Sequence, residues 1–183
     1  TLAQAGTTLI DALSLVRAIQ SGKPFPIVAS GLRVANDISR LSGSPNLELS
    51  AASNVMTGLL SLYSLTKAIE RGDAIAAINA GAQAITAGAT AYAEAFGESG
   101  TEVSTAIEET FGEESGLAIV EDAVPYLRII NDINEGDYVG LAIDTIALLT
   151  GCEAIALAYS AYKIITSLMD EDEPPKPWGN AHY

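Results

Sequence analysis

Three segments of this chain align without a gap around a glycine. They are Ala18-Ile19-Gln20-Ser21-Gly22-Lys23, Ala68-Ile69-Glu70-Arg71-Gly72-Asp73 and Asp132-Ile133-Asn134-Glu135-Gly136-Asp137. Three residues before each glycine stands Ile19, Ile69 or Ile133; seven before stands Leu15, Leu65 or Ile129; nine before stands Leu13, Tyr63 or Leu127. Phe25, Ile75 and Val139 lie three residues after it, and Leu32, Ala82 and Ile146 ten after. Self-similarity of this kind constrains architecture before any single motif does. The offsets before the glycine share one side of an α-helix. Glycine ends such a helix because it adopts the left-handed conformation without a steric cost. Asp73 and Asp137 then stand where an N-cap carboxylate accepts from the free amides of the next helix. Pro24 replaces that device in the first copy, where the first turn needs no intrahelical donor. So short a connection makes the two helices antiparallel, and each copy predicts a helical hairpin turning on Gly22, Gly72 or Gly136. The glycines are 50 and 64 residues apart, which fits three hairpins with an insertion better than a solenoid of fixed period.

The expected fold is an all-α bundle of three antiparallel αα-hairpins over about 7–41, 50–95 and 117–168, with an acidic helical insertion over about 98–116. These make one domain over 1–169, and 170–183 is an acidic, proline-rich linker or the start of a next module. The last helix is placed at 138–168, with division at Gly151 as the open alternative. Thr8 with Asp11, and Ser99 with Glu102, have the spacing of capping boxes. Leu15, Ile19, Leu65, Ile69, Ile129 and Ile133 are expected in the core. With 183 residues, 49% of them apolar, the chain has the material for one.

A net charge of −14 argues against nucleic acid, since no basic stripe is present to displace counterions from phosphates. One cysteine excludes a disulfide framework and a thiolate zinc site. No catalytic constellation emerges: His182, the only histidine, stands next to the last residue, and Cys152 lies in an apolar run with no base assigned to it. There is no phosphate loop, dinucleotide fingerprint or nucleophile elbow, so an enzyme is not expected, and no cofactor is. Between Arg71 and Arg128 there are ten carboxylates and no basic residue. Clustered carboxylates suit calcium, for which Glu108, Glu109, Glu113 and Glu114 are the candidates. No Asp-x-Asp-x-Asp-Gly loop accompanies them, and a solvated acidic helix is the preferred reading.

The stretch 74–93 is uncharged and long enough to span a bilayer, but it is built mostly from Ala, Gly, Thr, Asn and Gln. A closely packed helix of a soluble bundle accounts for it better. Asp144 and Glu153 interrupt the later apolar region and would be expensive in lipid if ionised. A conditional route to a membrane stays open, in which protonated carboxylates let the bundle refold onto lipid. Pore-forming and translocation domains of bacterial toxins share that design.

Asp11-Ala12-Leu13-Ser14-Leu15-Val16-Arg17-Ala18-Ile19-Gln20-Ser21-Gly22, Pro26-Ile27-Val28-Ala29-Ser30-Gly31-Leu32 and the acidic run ending Trp178-Gly179-Asn180-Ala181-His182-Tyr183 are similar to a known kind of sequence. They resemble helical, small-residue-rich modules inside very large secreted bacterial exoproteins of the repeat-toxin and adhesin-like kind. The resemblance implies a non-catalytic structural or interaction module, secreted or at the cell surface, with other domains of the same polypeptide as partners. The chain begins at Thr1 without a signal-peptide pattern and reads as an excerpt from something longer. Acid-triggered membrane insertion is the alternative function. The oligomeric state is left open.

Overall fold

Gly22, Gly72 and Gly136 have φ of 70°, 68° and 71° in the computed structural model, and each joins two helices. Residues 2–99, 101–111 and 116–171 are described. They form eight α-helices and no strand: α1 Leu2–Ser21, α2 Pro24–Leu41, α3 Leu47–Arg71, α4 Ala74–Ala95, α5 Thr101–Phe111, α6 Gly116–Glu135, α7 Tyr138–Thr150 and α8 Glu153–Glu171. At the second and third turns the aspartate after the glycine caps the next helix. Asp73 accepts from the Ala76 amide at 3.1 Å, and Asp137 accepts from the Gly140 amide at 2.9 Å. At the first turn Lys23 makes no side-chain cap bond and Pro24 opens α2.

Two boundaries differ from expectation. The helix expected over 138–168 is divided at Gly151, whose φ of 71° closes α7 while the Cys152 amide bonds back to the Ala147 carbonyl at 3.0 Å. Apolar residues on both sides of that glycine hide the break from a hydropathy reading. Helix α1 starts at Leu2, so Thr8 is not a cap; its hydroxyl donates to the Gln4 carbonyl at 2.8 Å.

Asn134 Nδ2 donates to the Asp73 carboxylate at 3.2 Å, which brings the Gly72 and Gly136 turns together. Lys163 of α8 reaches Glu135 and Asp137, and Lys23 donates to the Met169 carbonyl at 2.5 Å. All three repeated turns therefore gather at one end. In cross-section α1, α2, α3, α4, α6, α7 and α8 pack each on the next and α8 closes back on α1. Helix α8 also leans inward onto α2 and α3, and α5 lies outside the ring on α4.

Large apolar side chains fill little of this interior. One cluster joins Ala29, Leu60, Ala161 and Ile165, and a smaller one joins Ala89, Ala93 and Ile107. The isoleucines expected in the core lie outside it: Ile19, Ile69 and Ile133 are 59%, 65% and 64% exposed. Leu15, Leu65 and Ile129 are half-buried. The residue one step earlier, Ala18, Ala68 or Asp132, is buried in every copy. So are those four, eight and eleven residues after the glycine: Pro26, Ala76 and Gly140; Ser30, Ala80 and Asp144; Arg33, Gln83 and Ala147. The buried face is thus small or polar, and the bulky face, one residue or about 100° round, points outward. Small residues permit the close approach of helices, as where Gly58 of α3 faces Ala87 of α4. An isoleucine would not fit in that space.

Candidate functional site

Two pairs of aspartates are enclosed by this small-residue packing. Asp11 of α1 meets Asp37 of α2, and Asp132 of α6 meets Asp144 of α7. Burial, a hydrogen bond to Asp11 and the Asp11 charge push the Asp37 carboxyl up to about 8. Burial, a hydrogen bond to Asp144 and its charge do the same to Asp132, also to about 8. Burial raises Asp144 as well, against its bond to Asp132. Oδ2 of Asp11, Asp37 and Asp132, and Oδ1 of Asp144, are buried without any other donor. Two acceptor oxygens facing each other away from water are satisfied only if one carries a proton. Each pair therefore holds a proton at neutral pH.

Their counter-charges differ. Arg33 Nε donates to Asp11 at 2.9 Å, and its Nη1 donates to the Thr57 hydroxyl of α3 at 2.9 Å. Arg128, the arginine of α6, gives Nη1 to Glu153 of α8 at 2.5 Å. Lys163 lies 2.8 Å from both Glu135 and Asp137. Burial disfavours its charge, but the bonds to Asp137 and Glu135 outweigh that and hold it above the usual lysine range. Burial likewise works against the Asp137 charge, yet bonds from Lys163, the Gly140 amide and Tyr159 hold its carboxyl below the ordinary range.

Between α3, α4, α6 and α8 lies a cavity of about 480 Å³. Two arginines, Arg40 and Arg128, and three carboxylates, Glu94, Glu121 and Glu153, line it with Asn54, Thr57 and Gln83, and Val124, Pro125 and Leu157 supply apolar wall. Asn54 and Thr57 also face a smaller space of about 80 Å³ beside Asp11 and Arg33, so the first aspartate pair adjoins the cavity. Burial raises the Glu121 carboxyl, helped by the charges of Asp122 and Glu108.

The turn residues Gly22, Gly72, Asp73, Gly136 and Asp137 come together at one end of the ring, as described. Of the calcium candidates, Glu108 and Glu109 are exposed on α5, and Glu113 and Glu114 lie outside the described residues, as does His182. No three His, Cys, Asp or Glu side chains among the described residues are arranged to hold a metal ion. Cys152 is half-buried at the α7–α8 turn. Asp11, read from the sequence as a capping-box partner, is instead the carboxylate bound by Arg33. Asp37 and Gln83 were not singled out by sequence reasoning, and Glu94 and Asp132 entered it only as one of ten carboxylates and as a repeat residue. The signal that marks them is a lone charge or amide on a helical face of Ala, Ser and Gly, such as Ala18-Ser14-Asp11-Thr7 along α1.

Among the described residues no helix is long and apolar enough to cross a membrane. Comparison of the chain with protein-family models, curated proteins and solved structures finds no match.

Proposed function

We propose that the chain is a non-catalytic interaction module of a larger secreted bacterial polypeptide, docking its bulky outward faces against other domains of that polypeptide. The observation that carries this is the register of the exposed residues. Ile19, Ile69 and Ile133 before the glycine, and Phe25, Ile75 and Val139 after it, are exposed at the end where the three turns gather. Scattered apolar exposure is ordinary, but exposure repeated at equivalent positions of three turns marks a surface with a partner. Secretion and the bacterial setting rest on the sequence resemblance alone.

Acid-triggered membrane insertion draws less support from the aspartate pairs. They already carry a proton near neutrality, so acidification releases no strain in them.

The isolated chain is expected to self-associate and to bind an apolar dye, because its docking faces are uncovered. The triple variant Ile19→Gln, Ile69→Gln and Ile133→Gln should lose both properties while keeping its helical circular dichroism and its unfolding midpoint. A triple variant that unfolds, or that associates and binds dye like the parent, refutes the reading. Leakage of phosphatidylcholine–phosphatidylglycerol vesicles at pH 4.5 and not at pH 7 would replace it with the membrane alternative.

A further inference from the structure

Buried charged and amide groups ordinarily satisfy one another. In the cavity between α3, α4, α6 and α8 they do not. Gln83 is 8% exposed, and neither end of its amide has a partner among the described residues. Arg128 is 4% exposed; beyond the Nη1 bond to Glu153 its guanidinium has no partner there, and Nε is sealed from solvent. Glu94 is 5% exposed and, among the described residues, accepts only from the Asn54 side-chain amide and has no ion pair; Arg40, which also lines the cavity, donates to Ser50. On the α6 wall Pro125 lacks an N–H, so the Glu121 carbonyl loses its helical donor. One chamber thus contains Arg128, a cation paired to Glu153 through one nitrogen only, and Glu94, a carboxylate with no ion pair among the described residues. Arg40 and Glu121 are also on its lining, with apolar wall from Val124 and Leu157. Its volume exceeds that of a single water and falls in the range of small-molecule sites.

We infer that this cavity binds a small zwitterion, with an ammonium group against Glu94 and a carboxylate against Nη2 of Arg128, the guanidinium nitrogen that is neither sealed nor given to Glu153. The Glu121 carbonyl adds an acceptor for the ammonium, the Gln83 amide bonds either end, and a short apolar body lies on Val124 and Leu157. A molecule with one charge leaves either Glu94 without a cation or Nη2 of Arg128 without an acceptor, and each is a costly outcome for a buried group.

The test uses the whole chain and three probes of equal apolar body: leucine, isoamylamine and 4-methylpentanoate. Leucine should shift the amide resonances of Gln83, Glu94 and Arg128 saturably in heteronuclear NMR spectra, and each single-charge analogue should bind at least tenfold more weakly. Glu94→Gln, which keeps an acceptor for Asn54, should weaken leucine at least tenfold and leave 4-methylpentanoate unchanged. Thr90→Leu, which fills the chamber from a half-buried position of α4, should abolish binding while helical circular dichroism is retained; it serves as the control if Glu94→Gln folds poorly. No saturable shift with any probe would make the cavity a water chamber and overturn the inference. So would either single-charge analogue binding as tightly as leucine.

Discussion

The helices around Gly22 and those around Gly136 bury the same chemistry and support it differently. Each unit encloses two aspartates across its pair of helices and a proton between them. In the Gly22 unit the counter-charge is local: Arg33 of α2 bonds Asp11 of α1. In the Gly136 unit Arg128 is committed to Glu153 of α8, and the other nearby cation, Lys163, also belongs to α8. Helices α1 and α2 thus balance their own charge, whereas α6 and α7 depend on a third helix. The Gly72 unit needs neither arrangement, because Ala68 and Ala80 occupy the positions of Asp132 and Asp144. A repeat preserves which positions face inward more strictly than it preserves how buried charge is neutralised.

The largest expected effect tests the local counter-charge. Arg33→Met leaves a buried carboxylate without its cation and should cost about 3–5 kcal/mol in denaturant unfolding. Lys163→Met, at a rim open to water, should cost about 1 kcal/mol or less. Equal losses would break the comparison.

Gly140 sharpens it from the other unit. A Cβ there would come within 2.8 Å of Asp132 Oδ1 and would also meet the Asp137 carboxylate, so the close approach of α7 to α6 requires glycine. Gly140→Ala should destabilise by about 1–3 kcal/mol through overpacking, again measured by denaturant unfolding.

The pH dependence of stability should divide between the two pairs. Asp37 and Asp132 keep their protons in the fold up to about 8, while an unfolded aspartate loses its proton near 4. Between those limits the folded state binds more protons, so stability falls as pH rises through that window and is fully present below it. Between pH 5.5 and 8.5 the loss should be about 1–2 kcal/mol per pair, reduced from the ideal by partial access of water. Asp37→Asn and Asp132→Asn should each remove one share of the slope, since an amide donates to the partner carboxylate at any pH. Stability that does not fall across the window in the parent chain would mean that the pairs do not hold protons.

The smallest effect has the opposite sign. A Cβ on Gly31 of α2 would meet nothing within 4 Å. Gly31→Ala should therefore stabilise by about 0.5–1 kcal/mol through helix propensity, raising the melting temperature where Gly140→Ala lowers it.

The helices and their turns were largely legible in the sequence, and the polar interior was not. The repeated glycines and Asp73 and Asp137 declare themselves within a few residues, because a positive φ and an N-cap bond are local events. Gly151 was noticed without being settled, since the run Leu148-Leu149-Thr150-Gly151-Cys152 is apolar up to its turn. Ile19, Ile69 and Ile133 were placed inside on the premise that bulky periodic residues face the core. That premise fails where the core is built from Ala, Gly and Ser. Asp144 and Glu153 could be marked as costly on their own, but nothing along the chain shows that one meets Asp132 and the other Arg128.

By itself the sequence determined that this protein is helical, where its repeated turns fall and which residues recur beside them. Backbone conformation and capping act over three or four residues and need no distant partner. The tertiary structure alone decided which face of each helix is inside. Two faces about 100° apart carry the same period, and the choice between them depends on how closely neighbouring helices approach. It also decided what the buried charges do, because the proton between Asp11 and Asp37 and the bond from Arg33 exist only where helices far apart in sequence enclose them away from water.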